Sequence, residues 1–118
     1  MDDDIETLTL LNIRIGEEET KGGPESRRWL EDLIAPKLAF RRADQKTYIN
    51  RDEFLSAVGP SAGRDTEVRS VTVLGKRAIV ECVVKMKSPD SENVYSNLRL
   101  FVREDSGWKI LGWANEPV

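Results

Sequence analysis

The sequence predicts an α+β fold, with helices laid on one face of an antiparallel sheet. Three observations carry this expectation. Apolar residues recur at steps of three and four in residues 4–20, and the segments 24–34 and 51–58 each keep an apolar side, the patterning of amphipathic helices. From about residue 67 the period falls to two, the spacing of half-buried strands. The later strands are joined by short polar connections, and helices segregated from such a meander define the α+β class.

The first helix is expected from residue 4 to about 20, with Ile5, Leu8, Leu11 (or Asn12) and Ile15 along its stripe. Leu10 and Ile13 widen its apolar face. Asp3 or Asp4 serves as N-cap, where an acid suits the positive helix end. Glu17-Glu18-Glu19 falls where the dipole disfavours acids, so a frayed, solvated end is expected before Gly22-Gly23-Pro24 breaks the chain. A second helix runs from Pro24 to Ile34. Proline is tolerated in its first turn, and Trp29, Leu30, Leu33 and Ile34 face inward. Pro36 is expected to end it.

Leu38 to Arg42 reads as a short strand, Ala43 to Lys46 as a polar turn and Thr47 to Ile49 as the returning strand. Asn50 caps a third helix, from about Arg51 to Val58, with Phe54, Leu55 and Val58 inside. A loop over Gly59 to Gly63 precedes the meander. Its strands are Glu67 to Leu74, Ala78 to Lys87, Tyr95 to Arg103 and Trp108 to about Glu116. The turns are Gly75-Lys76, the polar stretch 88–93 and Glu104 to Gly107.

Composition narrows the function. With 118 residues, 39% of them hydrophobic, the chain can build one core and not two, so one domain over 1–118 is expected. The 18 Lys+Arg against 21 Asp+Glu argue against nucleic acid as a partner, since polyanion binders carry a basic excess. The absence of histidine removes His triads, His bases and His metal sites. One cysteine, Cys82, can close no intramolecular disulfide and build no thiolate metal site; it reads as inert packing on an apolar strand face. An acidic start lacks the basic and apolar parts of a secretory signal, so a cytoplasmic chain is expected. No apolar run approaches the ~20 residues of a membrane span, so no membrane association is expected.

Across nearly its whole length the chain resembles the NTF2-like (cystatin-like) superfamily, and within it the DUF4440/SnoaL-like group of small stand-alone domains. The resemblance lies in Trp29 to Ala35 leading into Leu38 to Ala43, in Phe54-Leu55, and in Val73-Leu74-Gly75 with Ala78-Ile79-Val80. It continues in Asn97 to Arg103 and Gly107 to Ile110. The order of these motifs carries more than any one of them. The resemblance implies a cone-shaped fold, three N-terminal helices packed on a curved antiparallel sheet, with a pocket between sheet and helices. Its members range from ketosteroid isomerases and polyketide cyclases to association domains and transport factors, so fold alone does not assign chemistry. Where such proteins are enzymes, the chemistry implied is proton transfer without a cofactor, by an isomerase or lyase. In a chain without histidine only an Asp or Glu base remains. Asp32, Asp52, Glu53, Glu81 and Glu116 are the acids to weigh, each with an adequate capping or solvated role.

Arg99 is the stronger lead. It sits mid-strand between Leu98 and Leu100. If Arg103 pairs with Trp108, Arg99 faces Gly112, and Asn97, Arg99 and Phe101 share a face with Trp108, Ile110, Ala114 and Glu116. A guanidinium there could receive a carboxylate or enolate, or could pair with Glu116 or another acid. Trp29, Phe40, Tyr48, Phe54 and Phe101 could line the same pocket or form core. Of Arg41 and Arg42, alternation lets only one point inward. On the same register Leu98, Leu100, Val102, Leu111 and Trp113 form the other face, which helices in so short a chain cannot cover. A homodimer formed sheet to sheet is therefore expected. Two functions follow. One is a pocket that binds a small apolar or carboxylate-bearing molecule, with or without isomerase or lyase chemistry. The other is a non-catalytic dimerisation or protein-binding domain whose pocket is filled by its own side chains. A cavity of about 300 Å³ or more, reached by Arg99 and a carboxylate, separates them.

Overall fold

The computed structural model describes residues 2–41, 48–59, 61 and 63–118, with the backbone alone at Asp2, Arg41 and Tyr48. The expected turn at 43–46, the orientation of Arg41 and Arg42, and the side chain of Tyr48 lie outside the described residues. Chain order is α1 (Asp2–Lys21), α2 (Pro24–Leu33), β1 (Ile34–Arg41), β2 (Tyr48–Ile49) and α3 (Arg51–Ser56), then β3 (Gly63–Leu74), β4 (Arg77–Ser88), β5 (Ser91–Glu104) and β6 (Gly107–Pro117). The fold is α+β as expected, and the strands form one sheet ordered β2-β1-β6-β5-β4-β3.

Several local expectations need correction. Asp3 and Asp4 lie inside α1, which begins at Asp2, so neither is its N-cap. The inner stripe of α1 is narrower than expected. Leu8, Asn12, Ile15 and Glu18 are buried, whereas Ile5, Leu10 and Ile13 are exposed. Glu18 is thus no solvated end: it accepts hydrogen bonds from Ser26 Oγ at 2.8 Å and Arg14 Nε at 3.1 Å. Pro36 does not end α2. The helix stops at Leu33, and Ile34 turns extended while its N–H still reaches Leu30 O. Pro36 lies within β1, which runs parallel to β6, with Phe40 opposite Trp113. The stretch 88–93 is mostly strand, because β4 and β5 pair out to Ser88 and Ser91.

Asn50 caps α3 as expected, in a capping box. Its side chain accepts from Glu53 N at 2.9 Å, and its own N–H donates to Glu53 Oε1 at 3.1 Å.

The most consequential correction is register. β5 and β6 pair Arg103 with Trp108 as expected, but a bulge at Leu111 shifts the rest, so Arg99 faces Trp113 and Gly112 faces Leu100. The cause is packing. Ile110 and Trp113 are three residues apart, yet both are buried on the helix side, which strict alternation forbids and one extra residue allows. Downstream of the bulge every side chain changes face. Trp113, expected outside, is inside; Glu116, expected beside Arg99, is opposite Ser96 and exposed. The core gathers on this inner face, from Leu8 and Ile15 of α1 through Leu30 of α2 to Val80, Phe101, Ile110 and Trp113 of the sheet.

Candidate functional site

A cavity of about 580 Å³ opens between the sheet and the ends of α1 and α3. One wall is aromatic. Phe40 lies 4.6 Å from Trp113 and 5.7 Å from Phe54, ring centre to ring centre. A polar part of the wall holds Asn97, Arg99, Asn115, Arg64 and Glu19.

Arg99 occupies the deepest part of this wall. Its side chain is 1% exposed. Nη1 donates to Asn12 Oδ1 at 3.1 Å and to Asn12 O at 3.3 Å, and Nη2 donates to Asn97 Oδ1 at 3.2 Å. The same Asn97 oxygen accepts from Trp113 Nε1 at 2.9 Å. All of these acceptors are neutral. No carboxylate lies within ion-pair distance of Arg99 among the described residues. Its Nε is buried and has no hydrogen-bond partner among the described atoms. Burial pushes its pKa down from the ordinary arginine value. Arg64 pushes the same way, and Cys82 and Glu19 oppose. Among the described residues the site therefore holds a desolvated cation whose contacts are amide oxygens, the Cys82 sulfur and the Trp113 face.

At the mouth, Arg64 Nη2 lies 4.0 Å from Glu19 Oε2, and Arg64 Nη1 donates to Ser61 Oγ. Ser61 is tied to the end of α1, its N–H donating to Thr20 O at 3.3 Å. Among the described residues the cavity wall thus carries two guanidinium groups against one carboxylate, although the whole chain is acidic at −3. Cys82 is buried. Its Sγ, 3.9 Å from both Arg99 Nη1 and Asn12 Oδ1, has its pKa raised by burial, partly offset by Arg99. Among the described residues no three His, Cys, Asp or Glu side chains converge to hold a metal ion.

The structure brings Phe40, Phe54, Asn97 and Arg99 together at this cavity. Phe101 is buried in the core instead. Trp29 is half-buried against the core, away from the cavity lining, with the Arg14 guanidinium 4.5 Å over its ring. Glu116 is carried to the other face. The acids weighed from sequence also miss it: Asp32, Asp52 and Glu81 are exposed, and Glu53 is committed to the cap. Among the cavity residues that sequence did not single out are Glu19, Arg64, Trp113 and Asn115. For Glu19 a signal existed, since Leu8, Asn12, Ile15 and Glu19 recur at steps of four, three and four, one face of a helix. For Trp113 and Asn115 the signal was hidden by the bulge.

No protein-family profile matches the chain, and no curated protein matches it. Solved structures do. A candidate dehydratase of the NTF2-like family from Streptomyces avermitilis superposes with a TM-score of 0.81 at 20% identity, covering 99% of this chain and 97% of that one. An NTF2-like protein of unknown function from Silicibacter pomeroyi gives 0.79 at 18% identity, covering 99% and 98%. A candidate ketosteroid isomerase from Parabacteroides distasonis gives 0.71 at 15%, covering 92% and 85%. At these identities the likeness shows the fold, and the fold is NTF2-like. The narrower DUF4440/SnoaL-like grouping rests on the sequence motifs alone.

Proposed function

We propose that this chain binds a small carboxylate-bearing molecule with an apolar body in the cavity between sheet and helices. One observation carries the reading: the Arg99 guanidinium lies in the cavity wall, desolvated, with only neutral hydrogen-bond acceptors. An unpaired buried charge costs several kcal/mol, roughly, and an anion entering the cavity recovers part of that. The aromatic wall offers the apolar body its place. The alternative of a cavity closed by Trp29, Phe40 and Phe54 is disfavoured by the volume of about 580 Å³ and by Trp29 lying elsewhere.

The test is ligand-detected NMR on the full chain, with a panel of aryl and alkyl carboxylates and their carboxamide isosteres. The carboxylates are expected to bind and the amides to bind weakly, with the preference reduced in Arg99→Met. Equal binding of both sets, or none, overturns the reading. The comparison on the unmodified chain stands even if Arg99→Met fails to fold.

An isomerase or lyase reading has one observation in its favour, a carboxylate on the cavity wall. Glu19 stands at the cavity wall 4.0 Å from Arg64, and a carboxylate is the base such chemistry needs in a chain without histidine. Candidate dehydratase and isomerase neighbours fit this reading. Its signature is deuterium exchange at a ligand carbon next to the carboxylate, lost in Glu19→Gln.

The outer sheet face is proposed as a contact with a second copy of the chain. Leu98 and Leu100 are 43% and 42% exposed at its centre.

A further inference from the structure

We propose that Arg64, and not Arg99, is the group that touches the ligand's carboxylate, and that it does so by exchanging Glu19 for the ligand. This deepens the ligand-binding reading and rests on it.

Arg99 is badly placed for contact. It is 1% exposed, Nη1 is engaged by Asn12 and Nη2 by Asn97, and the Trp113 ring covers one face of the guanidinium at 4.4 Å. Its charge acts on the cavity through a medium of low polarity without touching the ligand. Arg64 is differently held. It sits on β3 opposite Met86, at the cavity wall, and its side chain is 16% exposed. Among the described residues its partners are the neutral hydroxyl of Ser61 and the Glu19 carboxylate at 4.0 Å, too far for a hydrogen bond. A guanidinium offers five N–H donors in a planar fork that matches a carboxylate. A ligand carboxylate accepting two of them would form paired charge-assisted hydrogen bonds where a long ion pair now stands. The repulsion between Arg64 and Arg99 favours the same exchange, because an anion between them offsets it. Arg99 therefore sets the preference for negative charge, and Arg64 reads the carboxylate's shape.

Calorimetric titration of the full chain with trans-cinnamate and its neutral isostere cinnamamide tests this. Arg64→Gln is expected to weaken cinnamate at least about tenfold, the loss of one good charge-assisted contact, while cinnamamide stays within about twofold. Arg64→Lys keeps the charge without the fork and is expected to fall between. Glu19→Gln is expected to tighten cinnamate several-fold, roughly, and that gain is expected to vanish in the Arg64→Gln background, as coupled neighbours require. A gain that persists there shows that Glu19 acts by charge alone and overturns the exchange. Unchanged cinnamate binding in Arg64→Gln overturns the assignment of Arg64 and leaves the cavity reading intact. Failure of the unmodified chain to bind cinnamate overturns both. If Arg64→Gln does not fold, Arg64→Lys replaces it, and wild-type cinnamate affinity in that variant overturns the role of the fork.

Discussion

The Arg99 guanidinium lies 4.4 Å over the Trp113 ring, and this stacking exists because β6 carries one residue more than its pairing with β5 needs. Without the bulge at Leu111, Gly112 would stand opposite Arg99 and Trp113 would point away from the helices. With it, Trp113 covers a buried cation, donates to Asn97 and completes the aromatic wall with Phe40 and Phe54. A single insertion thus couples the core to the site.

Trp113→Phe keeps an aromatic ring under Arg99 but removes the Nε1–H that Asn97 accepts. A destabilisation of about 1–3 kcal/mol is expected, from the lost hydrogen bond and the smaller ring. Urea unfolding measures it, and an unchanged midpoint and slope would show that Asn97 gains nothing from the indole.

Gly16 tests how closely α1 approaches the sheet. A Cβ at this position would stand 2.6 Å from Thr66 Oγ1. Helix propensity alone makes Gly→Ala stabilising by about 1 kcal/mol, whereas overpacking costs about 1–3 kcal/mol. We expect Gly16→Ala to destabilise. The Thr66 hydroxyl is buried without a hydrogen-bond partner among the described residues, so Thr66→Ala is expected to relieve most of the loss in the double variant. Stabilisation by Gly16→Ala on its own would mean that β3 can move away from α1.

Glu18 supplies a pH dependence. The Ser26 hydroxyl, more than any other group, holds its pKa below the ordinary glutamate value. Arg14 and Lys21 act the same way, and burial opposes them. The folded pKa is therefore below the unfolded one. The stability Glu18 contributes is fully present above about pH 5 and is lost as the pH falls through the depressed folded value. Glu18→Gln is expected to be less stable by about 1–2 kcal/mol at pH 7. Its melting temperature should fall less steeply than that of the unmodified chain between about pH 5 and pH 3. Parallel curves would remove Glu18 from the acid response.

Leu100→Glu places a charge at the centre of the outer sheet face. Sedimentation velocity at micromolar concentration is expected to show a dimer for the unmodified chain and a monomer for the variant, with unchanged circular dichroism. A monomeric unmodified chain would rule out pairing through this face.

Local chemistry made much of this readable from sequence. The Asn50 cap, the Gly75 and Gly107 turns and the two-residue period of β4 are decided by neighbours in the chain, and all are found as read. Arg99 could be singled out because an arginine between two leucines in a strand is costly wherever it points. Glu116 was misplaced for the opposite reason. Its face depends on how β6 pairs with β5 five residues upstream, and nothing in its own neighbourhood announces the bulge.

The sequence by itself determined the class of fold, the order of elements and the exclusion of histidine chemistry, because periodicity, turn residues and composition are properties of a linear string. Only the tertiary structure decided which side chains meet at the cavity. Burying Ile110 and Trp113 on one face forced an extra residue into β6 and turned Asn115 inward and Glu116 outward. The close approach of α1 at Gly16 set Asn12 against Arg99 and Glu19 near Arg64. Long-range packing chooses between registers that local pattern leaves nearly equal, and that choice fixes which charges share a space of low polarity.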